Sequence, residues 1–419
     1  MGLQVLRPLL AALLLAGAAA AADLPPGSVI DPPADRFPAQ RLHSEMAGGE
    51  QSWLVALGNT AFSSPLLYGE TARRAGLSCN SCHVNGHVNQ AFFIPGLSAR
   101  PAGLDPTGPL FNAAANDHAA NHTDIPSLRG IRSLGPFGRD GRIGSLREFA
   151  RHVIVDEFAG PEPAPLLLDA LVAYMNEFEF LPNPRLGPLG QVRNASSEER
   201  RGEVLFRTPR RAMAGLACAD CHKPEAGFTD SRPHDVGTGG MFRTPTLLNA
   251  NSSAPYGHDG RWADYQAVVG HFDQTFALGL GPADRRALVA YLRAVGDAEE
   301  ADEPATFRRE MAELASYVAV LDGTLERHDA VLTRFVAETV VSEMHRLRRG
   351  FPDGDARRQA NRPDRNKAEP LDYDALCNGL LEVADKADAG DFGAATARLD
   401  AYHETAERMV ANYPRPGRH

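Results

Sequence analysis

The stretch Cys79-Asn80-Ser81-Cys82-His83 and its second copy, Cys218-Ala219-Asp220-Cys221-His222, decide how this chain folds. In each stretch two residues separate the cysteines, and a histidine follows the second cysteine. This spacing is the attachment signature of c-type haem, whose vinyl groups form thioethers with the two thiols. The adjacent histidine then binds the iron axially. We therefore predict two covalently attached haem c groups, with His83 and His222 as iron ligands.

Other uses of paired cysteines fit these motifs less well. A zinc site formed by both pairs normally has them close together in sequence, and here they lie far apart. A disulfide or a redox-active pair within each motif is the other alternative. The fifth cysteine, Cys377, lies outside both motifs and is predicted to be a buried structural thiol.

The composition is that of a folded protein with several domains. The chain has 419 residues, of which 43% are hydrophobic and 23% are charged. Its net charge of −10 argues against a nucleic-acid-binding protein that relies on a basic surface. Most of the acidic excess lies after residue 297. No later apolar run is long enough to span a bilayer, so we expect no stable membrane insertion.

The N-terminus has the pattern of a secretory signal peptide. Arg7 precedes a short leucine-rich core, and a run of alanines ends at Ala22. We predict that residues 1–22 are removed on export to the periplasm and that the mature chain begins near Asp23. An uncleaved membrane anchor is the alternative.

The chain repeats itself beyond the two motifs. Residues 126–130 match 245–249, and residues 136–142 match 255–261, in both cases 119 positions apart. We predict a mainly α fold with two tandem cytochrome c-like haem domains that arose by internal duplication. Helices are expected over 145–155, 165–178, 262–273 and 282–295. The predicted domains are residues 23–190, residues 191–298 and an acidic helical extension over 299–419.

The sixth ligand of each iron decides between electron transfer and chemistry at the metal. His152 and His271 are candidates because they occupy the same position of the repeat. Met241 and His258 compete for the second iron, and Met175 and Arg139 are further candidates at the first. Arg142 and Arg261, which follow equivalent Asp-Gly turns, are predicted to bind haem propionates, although each can simply belong to a turn.

The chain resembles the bacterial di-haem cytochrome c peroxidase family, which includes MauG-like enzymes. The resemblance rests on Leu57-Gly58-Asn59-Thr60 before the first motif and on Phe242–Asn249 and Ala254–Gly260 after the second. It implies an accessible first iron that meets hydrogen peroxide and a second haem that relays electrons. It also implies an electron-donor protein, either a cytochrome c or a cupredoxin, or an oxidised protein substrate. A calcium ion between the domains is implied as well.

By this resemblance Glu157 corresponds to the family's distal glutamate. Three departures from the family pattern affect the prediction. Arg139 replaces a tryptophan before the first Asp-Gly-Arg, and we predict that it stabilises a peroxide-derived anion. His271 stands where relatives use methionine or tyrosine. His152 can bind the first iron as its sixth ligand. The protein would then be an electron carrier with two six-coordinate haems instead of a peroxidase.

The segments 304–349 and 370–412 are predicted to form long amphipathic helices in a hairpin or small bundle. The charged stretch 348–370 is predicted to be a loop between them. One helix face carries Asp400, His403, Glu404 and Glu407, either as a metal site or as a solvated charged face.

Overall fold

The computed structural model describes residues 24–32, 38, 40–46, 48–298, 306–351 and 372–412. The predicted signal peptide, the expected start at Asp23 and most of the predicted loop 348–370 lie outside these residues. Among the helices described, none combines the length and apolarity needed to cross a bilayer.

The described chain is mainly helical, as predicted. Each Cys-x-x-Cys-His (CxxCH) motif lies in its own unit of the fold. The first unit contains α1 (His43–Met46), α2 (Trp53–Phe62), α3 (Glu70–Ala75), α4 (Cys79–Cys82), α5 (Leu146–His152) and α6 (Pro165–Met175). The second contains α7 (Ser197–Arg207), α8 (Cys218–Cys221), α9 (Tyr265–Thr275) and α10 (Pro282–Val295). Each unit also has a short antiparallel strand pair, β1 (Gly103–Leu104) with β2 (Thr123–Asp124) and β3 (Pro233–Asp235) with β4 (Met241–Arg243).

Both units are held by the same crossing of an opening and a closing helix. A Cβ added to Gly58 on α2 would lie 2.0 Å from the carbonyl oxygen of Ala170 on α6. A Cβ added to Gly202 on α7 would lie 1.9 Å from that of Ala287 on α10. Only a residue without a side chain lets two backbones approach this closely. The two glycines therefore fix where the helices of each unit cross.

The first helix of the second unit, α7, begins with a complete cap. The hydroxyl of Ser196 accepts a hydrogen bond from the Glu199 backbone N–H at 3.1 Å. The Glu199 carboxylate accepts one from the Ser196 N–H at 2.7 Å. This reciprocal pair is a capping box, which satisfies N–H groups that the first turn of a helix leaves unpaired.

The extension forms a helical bundle, but its helices are shorter than predicted. It contains α11 (Phe307–Val318), α12 (Val320–Glu326), α13 (Ala330–Gly350), α14 (Tyr373–Asp388) and α15 (Phe392–Asn412). His328, with φ +54°, interrupts the chain between α12 and α13, and Gly390, with φ +79°, separates α14 from α15. Left-handed backbone ends a right-handed helix whatever the hydrophobic periodicity around it.

The bundle shares one hydrophobic core with the first unit. That core joins residues such as Leu57 and Phe62 of α2 to Leu321 and Val336 of the extension. Two buried polar contacts reinforce the joint, Ser63 to the Tyr317 hydroxyl at 3.0 Å and Ser64 to the Thr339 hydroxyl at 2.7 Å. The second unit has its own smaller core. The extension thus covers the face of α2 that points away from α6.

Candidate functional site

Each CxxCH motif folds as a single helical turn that brings its cysteines to one place. Ser78 caps the N-terminus of α4, and its N–H donates to the Ser81 hydroxyl at 3.2 Å. Ala217 occupies the same position before α8, and its N–H donates to the Asp220 carboxylate at 2.7 Å. No disulfide joins the cysteines of either motif. Both turns are therefore available for thioether attachment.

The two motif histidines are oriented in the same way. The Nδ1–H of His83 donates to the Pro126 carbonyl at 3.0 Å. The Nδ1–H of His222 donates to the Phe228 carbonyl at 3.2 Å, with the carbonyl of Pro245 as a further backbone partner. Burial lowers the pKa of His83 to about 4 and also lowers that of His222. Each ring is thus neutral with Nε2 free, which is how histidine ligands of metals are held. These residues fit a haem iron.

A buried carboxylate lies beside the first motif. Glu157 Oε1 is 3.5 Å from His152 Nε2 and 3.8 Å from Arg142 Nη2. Burial raises the pKa of Glu157, and the charges of His152 and Arg142 oppose that rise. The Glu157 charge in turn contributes to the raised pKa values of Tyr68 and Cys82. Phe158, the next residue, stacks on Tyr68, whose hydroxyl contacts the Cys79 sulfur, so this carboxylate lies close to the first motif.

A change of helix type creates this cluster. After α5 the chain continues as a π-helical turn, Val153–Glu157, closed by the Phe158 N–H to the Val153 carbonyl at 3.1 Å. His152 Nδ1 donates to the Asp156 carboxylate at 2.9 Å, as expected four residues on. The wider π turn also brings the fifth residue, Glu157, under the same histidine. The turn thus gathers two carboxylates around one imidazole.

The second unit lacks this cluster. At the positions equivalent to Asp156 and Glu157 it has Thr275 and Phe276. His271, the equivalent of His152, donates from Nε2 to the Val236 carbonyl at 2.8 Å. The Thr275 hydroxyl lies 3.5 Å from its other ring nitrogen. Of the two units, the first therefore has a buried acid–base group near its thiols.

The three predicted arginines occupy different settings. Arg142 lies in the Glu157 cluster and donates to His152 Nε2 at 3.3 Å. Arg261 is paired with Asp259 at 2.7 Å and donates to the Thr238 carbonyl at 3.2 Å. Arg139 is ion-paired with Asp124 at the boundary between the units and influences the pKa of His83. No contact among the described residues joins Arg139 to Glu157.

The remaining candidate ligands are dispersed. Met241 is 54% exposed, and Met175 is buried in the first core. The His258 ring stacks on Phe242 with centroids 3.6 Å apart. These contacts do not select a sixth ligand for the second iron, so His271 stays a prediction there.

Metal-binding clusters outside the haem motifs find little support. Among the described residues, Cys221, Asp230 and His234 form a group that could hold an ion, but Cys221 belongs to the second motif. The face with Asp400, His403, Glu404 and Glu407 forms no such group in the described chain. Cys377 is buried, as predicted, and burial raises the pKa of its thiol to about 11.

Sequence reasoning missed two groups near the first motif. The Tyr68 hydroxyl lies 3.3 Å from the Cys79 sulfur, and its ring stacks on Phe158. No sequence pattern points to it. Asp124 and Arg243 both contact Arg139 at the boundary between the units, Asp124 through an ion pair and Arg243 through its backbone N–H. They occupy equivalent positions of the repeat, so an alignment of the two units could have identified them.

Residues 197–339 match the model of the di-haem cytochrome c peroxidase family. The gamma subunit of hydrazine synthase from Kuenenia stuttgartiensis is 31% identical over 152 residues, which are 32% of this chain and 41% of that protein. The methylamine utilization protein MauG from Methylorubrum extorquens is 28% identical over 163 residues, 37% of this chain and 45% of that protein. The matches thus span less than half the length of these relatives.

Among solved structures, Kuenenia stuttgartiensis hydrazine synthase aligns with a TM-score of 0.42 at 20% identity. This alignment covers 65% of our chain and 98% of that one. The sequence matches confirm the resemblance drawn from the motifs: the matched part of the chain is similar to the di-haem cytochrome c peroxidase and MauG-like family, for which haem c is the implied cofactor.

Proposed function

We propose that this chain is an exported oxidoreductase that carries two haem c groups, one on each CxxCH turn, and reduces hydrogen peroxide at the first. The observation that carries the proposal is the largely buried Glu157 carboxylate, which lies next to Arg142 and His152 and whose charge acts on Cys82. Peroxide cleavage needs an acid–base group and a charge-stabilising group next to the metal. The first unit has both, and the second has Thr275 and Phe276 instead.

Glu157 is suited to move the peroxide proton. A haem bound through His83 would supply the metal at which the oxygen–oxygen bond is broken. The Glu157 carboxylate takes the proton from one peroxide oxygen and delivers it to the other, which leaves as water. Its raised pKa brings the protonated form closer to neutral pH, which favours this return of the proton. Complete reduction to two waters consumes two electrons and two further protons.

Arg142 is suited to stabilise the anion that forms as the bond breaks. Its guanidinium lies 3.8 Å from Glu157, whereas that of Arg139 is bound to Asp124 at the unit boundary. A planar guanidinium stabilises an oxyanion with two parallel donors. The contacts therefore favour Arg142 as the residue that stabilises the anion, although the sequence predicts it at a haem propionate. Arg139, for which the sequence predicts this role, is engaged by Asp124 instead.

The electrons would come from a small redox protein, a cytochrome c or a cupredoxin, or from a protein whose side chains are oxidised. The second haem, held by His222, would relay them. Its sixth ligand would be His271, whose imidazole gives a lower potential than a methionine ligand. These separate roles for the two haems agree with the acid–base cluster, which is present in the first of the two described units and has no equivalent in the second.

The substitution Glu157→Gln tests the proposal. It keeps the size of the side chain and removes the proton acceptor, so peroxide turnover should fall by about 100-fold or more. Glu162→Gln is the matched control, because Glu162 is exposed and pairs with Arg151 at 2.8 Å. Turnover is measured by oxidation of a reduced small cytochrome c, with haem content checked by absorbance. Wild-type turnover in Glu157→Gln would refute the assignment.

The alternative is an electron carrier with two six-coordinate irons. His152 would then have to leave Asp156 and Arg142 in order to bind the first iron. Electron paramagnetic resonance of the oxidised protein separates the two functions, since an open first iron gives a high-spin signal. Two low-spin signals without peroxide turnover, and peroxide reactivity gained in His152→Ala, would establish the carrier.

Calcium between the units is the remaining expectation from the resemblance. Where the units meet, the carboxylates described beside Arg139 and His258 are those of Asp124, which is paired with Arg139, and Asp259, which is paired with Arg261. Calcium takes about six to eight oxygen ligands. This cationic boundary does not fit the ion, and no step is assigned to it.

A further inference from the structure

The two CxxCH units meet through a pair of equivalent hydrogen bonds. The Asp124 N–H donates to the His258 carbonyl at 3.0 Å, and the Arg243 N–H donates to the Arg139 carbonyl at 2.8 Å. Asp124 and Arg243 occupy one position of the repeat, and Arg139 and His258 another. Each unit therefore offers the same donor and acceptor to the other, as expected across a pseudo-two-fold axis.

The side chains at these equivalent positions are different. In the first unit the Asp124 carboxylate neutralises Arg139, which also donates to the Asp124 carbonyl at 2.8 Å. In the second unit the acidic residue is replaced by Arg243. Its Nε and Nη1 atoms are buried and have no hydrogen-bond partner among the described residues. The duplication has thus left an unpaired guanidinium at the boundary.

The boundary carries more positive than negative charge. Arg139 and Arg243 are close enough for each charge to act on the other, and burial lowers the pKa of Arg243. Arg139 also acts on His258 and on His83, whose Nδ1 donates to the Pro126 carbonyl two residues after Asp124. Opposing the two arginines are Asp124, whose pKa burial raises to about 6, and Asp259, which is paired with Arg261. Because the Nε and Nη1 atoms of Arg243 are buried without a partner in the described chain, an anionic group that binds them would remove the cost of that burial.

We propose that Arg243, with Arg139, binds a propionate carboxylate of the haem attached at Cys79 and Cys82. A haem held by His83 brings two carboxylates to this part of the molecule, and guanidinium pairs with carboxylate through two parallel hydrogen bonds. The second unit thereby completes the binding site of the first haem. The inference rests on haem attachment alone and stands whether or not the protein reduces peroxide.

The test is the substitution Arg243→Gln in the full-length, haem-loaded protein. Removing a positive charge beside a propionate favours the ferric state, so the midpoint potential of the first haem should shift downwards. The potential should also depend more strongly on pH, because the propionate loses the charge that keeps it ionised. Arg243→Lys keeps the charge and should therefore have a midpoint potential close to that of the wild type. The control is Arg201→Gln, an exposed arginine paired with Asp284.

Potentials are measured by a redox titration that follows both haems, and a protein with Cys218→Ser and Cys221→Ser identifies the transition of the first. An unchanged first potential in Arg243→Gln, or a shift confined to the second haem, would overturn the assignment. So would a wild-type potential that depends on chloride concentration and loses this dependence in Arg243→Gln, since the guanidinium would then bind a free anion.

Discussion

The glycine crossing in the second unit gives the most quantitative prediction. Gly202 lies on α7 directly over the backbone of α10, and an added Cβ would come within 1.9 Å of the Ala287 carbonyl oxygen and 2.7 Å of the Tyr291 Cβ. Neither atom can rotate away, because one is backbone and the other is the root of a buried side chain. The substitution Gly202→Ala must therefore push the helices apart by more than an ångström.

The expected loss of stability follows from two opposing effects. Overpacking a core contact costs typically 1–3 kcal/mol, and a clash with rigid backbone belongs at the upper end of that range. Alanine recovers about 1 kcal/mol of helix propensity relative to glycine. We therefore expect a net loss of about 2 kcal/mol. For a unit of about 100 residues that lowers the melting temperature by roughly 8–16 °C.

Thermal unfolding of the haem-loaded protein, followed by haem absorbance, measures this loss. The matched control is Gly350→Ala, since Gly350 ends α13 and an added Cβ there meets no atom within 4 Å. That variant should melt within about 2 °C of the wild type, because exposed substitutions change stability little. If Gly202→Ala melted together with the control, the close helix crossing would not be what holds the unit together.

Three further predictions concern other parts of the molecule. Burial and the Arg129 charge lower the pKa of His87 from 6.5 to about 3, so this residue contributes stability above pH 6.5 that is lost as the pH falls towards 3. His87→Gln keeps an acceptor for Arg129, and chemical denaturation at several pH values should show a smaller acid loss than in the wild type. Titration of thiols should find none in the native protein and one, Cys377, after unfolding, while five would show that no haem is attached. Tyr317→Phe removes the hydroxyl between Ser63 and Glu313 and should destabilise the protein by about 1–3 kcal/mol in denaturant unfolding, with no change if the extension is only loosely attached.

The repeat predicted the helices around the motifs because hydrophobic spacing and turn residues lie at a constant offset in both units. α6 and α10 lie within the ranges expected from it, and α5 and α9 lie close to theirs. The same method could not find the glycine crossing. The opening helices stand at different distances from their motifs, so Gly58 and Gly202 do not share the offset of the later residues.

The roles of the arginines could not be read from sequence for a related reason. Arg139 and Arg142 lie on either side of one Asp-Gly turn, and nothing in their spacing says which side chain faces the thiols. The fold decides this: Asp124 from β2 pairs with Arg139, which leaves Arg142 to meet the π turn. Neither the π turn nor a carbonyl 43 residues from His83 leaves a periodic signal in the sequence.

The positions at which the two units diverge lie around the first motif. On one side the π turn lets the charge of Glu157 act on Cys82, and on the other Arg139, to which Arg243 is hydrogen-bonded, acts on His83. In the proposed site the carboxylate would supply protons, and the cationic pair would favour the reduced iron. Because Arg243 comes from the second unit, the first haem would not have this environment in an isolated domain. The duplication has therefore produced one composite site rather than two equal ones.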